Sequence, residues 1–345
     1  MLLEELSNAF GPSGCEDQVR RILARAVRSQ VDELHSDALG NLIALKRGRG
    51  REPRLRVMVD AHMDEVGLMI TRIEKNGLLG FRVVGGIDPR LLMAKRVVIG
   101  GERVPGVILA PPIHLTKAAQ RAQVVGVSEL AIDIGATSDA QARECVHLGD
   151  YATFATRFEV LTEGGLRVAK GKAFDDRAGC AVAAALVDEE YDIDLALSFS
   201  TQEEVGLRGA QVAAFALRPD IAFALEGTIC DDMPKKADVS PTTRLGQGPA
   251  ITLMDRSFIA DHRLVRLLQE TATQQGIPYQ IKQPGIGGTD AGAIHQSRSG
   301  VPAVALAVPC RYIHTPVSLL SMVDLDNLVR LMKAVLHSLP EGWTG

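Results

Sequence analysis

The chain has 345 residues and a formal net charge of −4, with 46% hydrophobic and 23% charged residues. That length predicts one large domain plus a smaller one, and the composition is that of an ordinary globular protein. No segment approaches the roughly 20 apolar residues of a membrane span, and the acidic balance gives no electrostatic reason to expect nucleic acid as a partner.

The amino terminus, MLLEELSNAFGPSG, carries early acids. It lacks the basic start, apolar run and small-residue cleavage site of a secretion signal, so a cytoplasmic product is expected. A helix from Leu2 to about Phe10, a Gly-Pro-Ser-Gly turn and a second helix from about Glu16 come first; Val19, Ile22, Leu23 and Val27 recur at helical spacing in the second. Residues 31–45 and 55–60 then read as strands, the second an unbroken apolar run suited to a sheet buried on both faces. Between them Lys46, Arg47, Arg49, Arg51 and Arg54, interleaved with glycine and proline, read as a solvated hairpin loop.

From about Gly67 to Val160 the texture changes to short β-like runs (LLGFRVVG, RVVIG, VPGVIL, YATFAT) broken by glycine and proline, which predicts a small β-rich domain. Within it PPIHLTKAAQRAQ is polar and patternless, a candidate mobile loop. After about Gly164 helix and strand alternate. Helices are expected on DDRAGCAVAAALVDEE, GLRGAQVAAFAL and VDLDNLVRLMKAVLHSL, and strands on DLALSFST, IAFALE, IPYQIK and VPAVALAV. The alternation implies a mixed or parallel α/β sheet between helices, interrupted by the β-rich insert. The five cysteines are scattered without C-x-x-C spacing and read as free thiols.

In open α/β sheets, sites gather beyond the carboxyl ends of strands. Five segments qualify: Ala61 to Glu65, Phe174 to Arg177, Gln202 to Glu204, Glu226, and Arg311 to His314. Singly each reads as a cap or a solvated polar end. Together, two imidazoles and several carboxylates make the mixed N/O set that suits zinc, cobalt or manganese, and so many acids in one cleft would be costly without a cation. A glycosidase using Glu203 with Glu204 or Asp175 is a competing reading. Neighbouring residues rarely straddle a bond across the 5 Å or more that chemistry needs, and one tryptophan is a poor supply of sugar-stacking surface.

The stretches VDAHMDEVGLMI, KAFDDRAGCA, STQEEVGLRGA, ALEGTICDDMP, GGTDAGAIHQSRSGVPAVAL and PCRYIHTPVSL, with IDIGATS in the insert, resemble the successive motifs of the tetrahedral aminopeptidase family. That family includes glutamyl and deblocking aminopeptidases, and its members are sometimes labelled endoglucanases. The resemblance implies an α/β fold: a mixed-sheet, phosphorylase/hydrolase-like metallopeptidase domain over residues 1–68 and 161–345, with a small β-barrel-like dimerisation domain inserted at 69–160. It implies two divalent metal ions, zinc or cobalt first and manganese third, bridged by Asp175. His62 and Glu226 would complete one ion, Glu204 and His314 the other. Glu203 would be the general base, and Asp64 would hold the second nitrogen of His62. Implied with these are short peptide substrates and a homo-oligomer, typically a dodecamer built from dimers. A deacylase or carboxypeptidase of the same two-metal clan shares the ligand logic, and a shell subunit with a decayed site is the non-enzymatic alternative. The family usually has aspartate where Glu226 stands; the extra methylene reaches further. The turn Gly287 to Asp290 is expected near the site, as a plain turn or as part of the pocket wall.

Overall fold

The computed structural model describes residues 1–117, 123–161, 165–234, 242–283, 287–340 and 343. An eleven-stranded mixed sheet carries most of the chain, and a closed six-stranded barrel is inserted into it. In chain order the sheet contains β1 (Glu33–Ser36), β2 (Leu42–Lys46), β3 (Arg56–His62), β10 (Glu159–Val160), β11 (Val168–Gly171), β12 (Asp194–Ser200), β13 (Ile221–Cys230), β14 (Ala250–Thr252), β15 (Gln280–Lys282), β16 (Ala303–Arg311) and β17 (Ser318–Ser321). Its centre runs β12-β3-β13-β16, all parallel, so four strand ends open on one side.

Both faces of these strands are buried, and the two faces differ in size. Val57, Val59, Leu195, Leu197, Phe199, Phe223, Leu225, Val304 and Leu306 belong to one core, packed under helices α1 (Leu2–Asn8), α2 (Asp17–Val27), α4 (Phe174–Ala185), α6 (His262–Gln274) and α8 (Met322–Ser338). The alternate positions, Met58, Ala196, Ala222, Ala224, Ala303 and Ala305, are mostly alanine and pack against α5 (Arg208–Leu217) and α7 (Ala291–Ile294). Period-two alternation of bulky and small residues therefore reads as a continuous apolar run while building two different interfaces.

The barrel comprises β4 (Gly67–Ile73), β5 (Leu79–Val84), β6 (Arg96–Ile99), β7 (Val104–Ile108), β8 (Ala131–Asp133) and β9 (Tyr151–Phe154), all antiparallel. Its interior is a separate core that includes Leu68, Ile70, Phe81, Val97, Ile132 and Phe154, with Ala142 of the short helix α3 (Asp139–Arg143). A buried ionic knot joins barrel to sheet. Glu65 accepts from Lys172 Nζ (2.6 and 2.8 Å), from Thr153 Oγ1 of β9 (2.9 Å) and from Arg177 Nη2 (3.4 Å).

Several elements depart from the sequence expectations. The stretch 31–45 is a hairpin of two strands, because Asp37 turns the chain by accepting from the amides of Leu39, Gly40 and Asn41. The basic segment after it is not a hairpin: β12 lies between β2 and β3. Nor is it wholly solvated, since buried Lys46 donates to Val187 O (2.7 Å) and pairs with Glu190, and Arg54 pairs with Asp194. Helix α6 was not among the expected elements; Asp261 caps it, and Leu264, Val265, Leu268 and Ala272 form its buried stripe. Strand β13 continues four residues past Glu226 and strand β16 runs on to Arg311. Of the polar loop expected over 111–123, residues 118–122 lie outside the described residues, and Ile113–Leu115 is a 3-10 turn. All five cysteines are free.

Candidate active site

The five segments collected from the sequence converge beyond the ends of the parallel strands. His62 ends β3, Glu203 and Glu204 follow β12, Glu226 stands within β13, His314 follows β16, and Asp175 lies in the first turn of α4. At Asp175 and Asp176 the backbone leaves helical geometry, which turns the Asp175 carboxylate toward both histidines. Its Oδ1 is 3.4 Å from His62 Nε2 and its Oδ2 is 3.3 Å from His314 Nε2. Around the first imidazole, Glu226 Oε2 lies at 3.6 Å and Glu203 Oε2 at 3.9 Å; around the second, Glu204 Oε1 lies at 3.3 Å. Gly227 makes the approach possible, because a Cβ there would sit 2.8 Å from Asp175 Cα.

Non-glycine residues in left-handed conformations flank the donors: Ala173 (φ 56°), Gln202 (57°), Tyr312 (64°) and His314 itself (56°). Each costs on the order of 1–3 kcal/mol, which the surrounding packing must offset.

Asp64 does more than orient one imidazole. His62 Nδ1 lies 3.1 Å from the Asp64 backbone oxygen and 3.4 Å from Oδ1. The same fully buried carboxylate accepts from Ser13 Oγ (2.6 Å), Glu203 N (3.0 Å) and Glu204 N (3.2 Å), so one side chain ties His62 to the Glu203–Glu204 loop. On the other side His314 Nδ1 lies 3.0 Å from Gly86 O, a contact supplied by the loop after β5 of the barrel.

Behind the histidines is a set of buried acids to which sequence reasoning assigned no role. Asp176 accepts from His62 N and Gly179 N; Asp290 accepts from Ser200 Oγ, and its own amide donates to Glu226 Oε1. Ser200 Oγ lies within hydrogen-bond distance of both Asp60 Oδ2 (3.1 Å) and Asp290 Oδ2 (2.7 Å), and burial pushes both carboxyls up. The Asp-Asp doublet and the GGTD turn were the available signals, but nothing local shows that these acids are buried.

Electrostatics follow from this crowding. Burial pushes Glu203 up to about 7, Asp175 and Asp64 adding to the effect and the histidines opposing it. Glu204 and Glu226 are raised well above the ordinary carboxylate range, again by burial first. Burial opposes protonation of both imidazoles, yet the carboxylates around them prevail: His62 is raised well above its ordinary value and His314 to about 9. Asp175, held between them, is depressed despite its burial.

The donor atoms fall into two groups within 4.8 Å of one another, His62 with Asp176 and Glu226, and Asp175 with Glu204 and His314. Asp175 Oδ1 also faces His62, so the first group has a second acid in reach. Buried acids that must otherwise take up protons are what a divalent cation relieves, and the N/O donor set fits a borderline metal. The donors open into a cleft of about 730 Å³, whose walls include Gly86, Thr228, Ile229, Thr252, Lys282 and Tyr312.

A helix-flanked mixed sheet bearing His and carboxylate donors past its parallel strand ends, with a barrel inserted, is the architecture of a metallopeptidase. The model of the M42 glutamyl aminopeptidase family matches residues 40–331, and the chain belongs to that family. A putative aminopeptidase of Acetivibrio thermocellus is 38% identical over 333 residues, 96% of each chain. Among solved structures, the TET aminopeptidase from the marine sediment archaeon Thaumarchaeota archaeon SCGC AB-539-E09 superposes with a TM-score of 0.92 at 37% identity, covering 98% of this chain and 96% of its own. The TET1 peptidase of Pyrococcus horikoshii, which can assemble into a tetrahedron or a large octahedral shell, gives 0.86 at 37% identity and covers 98% of both chains. The protein is thus a peptide hydrolase of a metal-dependent family. Among the described residues no helix is long and apolar enough to cross a membrane.

Proposed function

We propose that the chain is a two-metal aminopeptidase that removes residues one at a time from the free amino terminus of short peptides. The observation that carries this reading is Asp175, whose two oxygens face two different imidazoles at 3.4 and 3.3 Å, the disposition of a bridging carboxylate. Asp175, His62 and Glu226 would hold one ion, and Asp175, Glu204 and His314 the other. Zinc or cobalt suits the set best, with manganese third. Glu226 meets the reach requirement despite its extra methylene, with Oε2 3.6 Å from His62 Nε2 while Oε1 takes the Asp290 amide.

Divalent cations held by these residues would supply Lewis acidity, lowering the pKa of a bound water and polarising the scissile carbonyl. The chain supplies the proton transfers and the positioning. Glu203 takes the proton of the attacking water and returns it to the leaving amine, a role suited to a carboxyl whose pKa lies near neutrality. Asp64 keeps Glu203 in place through its amide and keeps His62 in one orientation. The concentration of carboxylates at this end of the cleft suits a cationic terminal amine, which sets the register of cleavage at the first peptide bond.

In the same reading residues 1–68 and 161–345 form the catalytic domain, and 69–160 form a dimerisation domain from which a dodecamer is built; the likeness to the shell-forming TET1 peptidase supports this. The test uses a tetrapeptide with and without an acetyl cap, before and after exhaustive chelation and zinc or cobalt repletion. Sequential loss of single residues from the free, metal-loaded reaction only is expected. Cleavage by protein that elemental analysis shows to be metal-free, or equal cleavage of the capped peptide, refutes the reading.

A further inference from the structure

A second cavity, of about 860 Å³, adjoins the acidic cleft, and Leu207 lines both. They are close on another side as well. The Arg256 amide donates to Gly287 O and the Thr289 amide to Ser257 Oγ; Arg256 and Ser257 line the second cavity, Gly287 and Thr289 the first. The charges of the two are opposite. Asp175, Glu203, Glu204 and Glu226 line the first, whereas among the described residues no acid lines the second, which presents Arg256 and Arg298.

Neither guanidinium has a carboxylate partner among the described residues. Arg256 makes no side-chain hydrogen bond there, and Arg298 spends only its Nε, on Phe215 O (2.7 Å), with its guanidinium 3.8 Å over the Phe215 ring. Ser297 lines the same cavity, is only 8% exposed, and has a buried Oγ without a hydrogen-bond partner. Buried hydroxyls are nearly always paired, so this one marks a place for a polar atom from outside. The start of α5 contributes Leu207 and Gln211, which brings the positive end of a helix dipole to the same space. These groups make an anion site, and exposed Phe215 and Val212 give it an apolar flank. A planar carboxylate on an apolar body fits that combination.

We propose that the second cavity takes the carboxyl-terminal carboxylate of the peptide, with Arg256 as its principal partner, so that a short substrate is held at both ends. The inference rests on the aminopeptidase reading above and adds to it a subsite at the far end of the substrate. Glu203 hands its proton to the leaving amine, so the rest of the peptide lies on the Glu203 side of the cleft. There the loop from Glu203 to Leu207 borders the second cavity. An extended chain advances about 3.3 Å per residue, so only peptides within one range of lengths can occupy both cavities.

The experiment measures kcat/KM for release of the same first residue from leucine-initiated peptides, dipeptide to octapeptide, each as the free acid and as its carboxyl-terminal amide. At its preferred length wild type should favour the acid by roughly 10-fold or more, chiefly through KM, as a charge-assisted hydrogen bond allows. Arg256→Gln should bring that ratio near one, Arg256→Lys should keep part of it, and Arg298→Gln should lower it. A wild-type ratio near or below one at every length, as expected if the site served a separate small anion, overturns the inference and leaves the aminopeptidase reading standing. So does a ratio that Arg256→Gln leaves unchanged; Arg256 is exposed, so its replacement decides the matter even if the Arg298 variant fails to fold. Failure to release any first residue overturns the aminopeptidase reading and this inference with it.

Discussion

Replacing Glu203 by glutamine separates a base from a ligand, since the two side chains are nearly isosteric and only the charge and proton affinity change. In the structure Glu203 stands outside both donor groups, 3.9 Å from His62 Nε2, and its backbone N–H donates a hydrogen bond to Asp64 Oδ1, which the substitution leaves intact. Loss of a positioned general base costs roughly 10²- to 10⁴-fold in kcat, or about 2.7–5.4 kcal/mol at 1.36 kcal/mol per tenfold. The variant should therefore bind two equivalents of metal by elemental analysis and lose at least about 10²-fold in kcat, with KM little changed. Stability provides an independent check. Because the folded pKa of Glu203 is raised from 4.5 to about 7, its contribution to stability is present below pH 4.5 and is lost as pH rises through 7. Glutamine has no such loss. The metal-free variant should thus melt higher than metal-free wild type at pH 8, with the gap closing in acid. A variant that loses its metal, or keeps kcat within about threefold, refutes the assignment of Glu203 as base.

Asp175→Ala should empty both sites, because the one carboxylate faces both imidazoles; retention of two tightly bound ions per chain would contradict a bridging role. Metal binding should release protons and tighten as pH rises, since His62 and His314, the latter at about 9, are protonated in the metal-free protein at neutral pH and must become neutral to coordinate. Calorimetric titrations in two buffers of different ionisation enthalpy would read this as a difference in apparent heat, and identical heats would refute it. Glu65→Gln should destabilise the protein by about 3–5 kcal/mol, visible in chemical denaturation, because it strips the buried Lys172 of its counter-charge; a change under about 1 kcal/mol would show that the knot is dispensable. Sedimentation should find a species well above the 37.0 kDa of one chain, and a strictly monomeric active enzyme would contradict the proposed assembly.

Local chemistry carried a large share of the outcome. The apolar runs that became β3, β12, β13 and β16 are legible because strands buried on both faces need no polar alternation, and the polar residues directly after them are legible because parallel strands all end on one side. His62, which ends β3, and Glu203, Glu204 and His314, which follow β12 and β16, obey that rule, whereas Asp175 lies in the first turn of α4 and Glu226 within β13. Helix α6 was also legible in principle, from the Asp261 cap and the Leu264, Leu268, Ala272 spacing.

Tertiary structure decided the rest, because burial and pairing are properties of distant segments brought together. The sequence around Lys46 looks like a solvated basic loop, yet the insertion of β12 between β2 and β3 buries that lysine against Val187. Asp64 looked like a partner for one histidine, and only the fold shows it holding the amides of Glu203 and Glu204, about 140 residues further along the chain. Asp60, Asp176 and Asp290 become a buried acid layer for the same reason: a carboxylate's cost depends on the solvent that neighbouring elements exclude, which no local pattern encodes. Lys282 ends a three-residue strand with no motif around it, and only the pairing of β15 with β14, and of β14 with β16, sets it in the wall of the same cleft as Asp175.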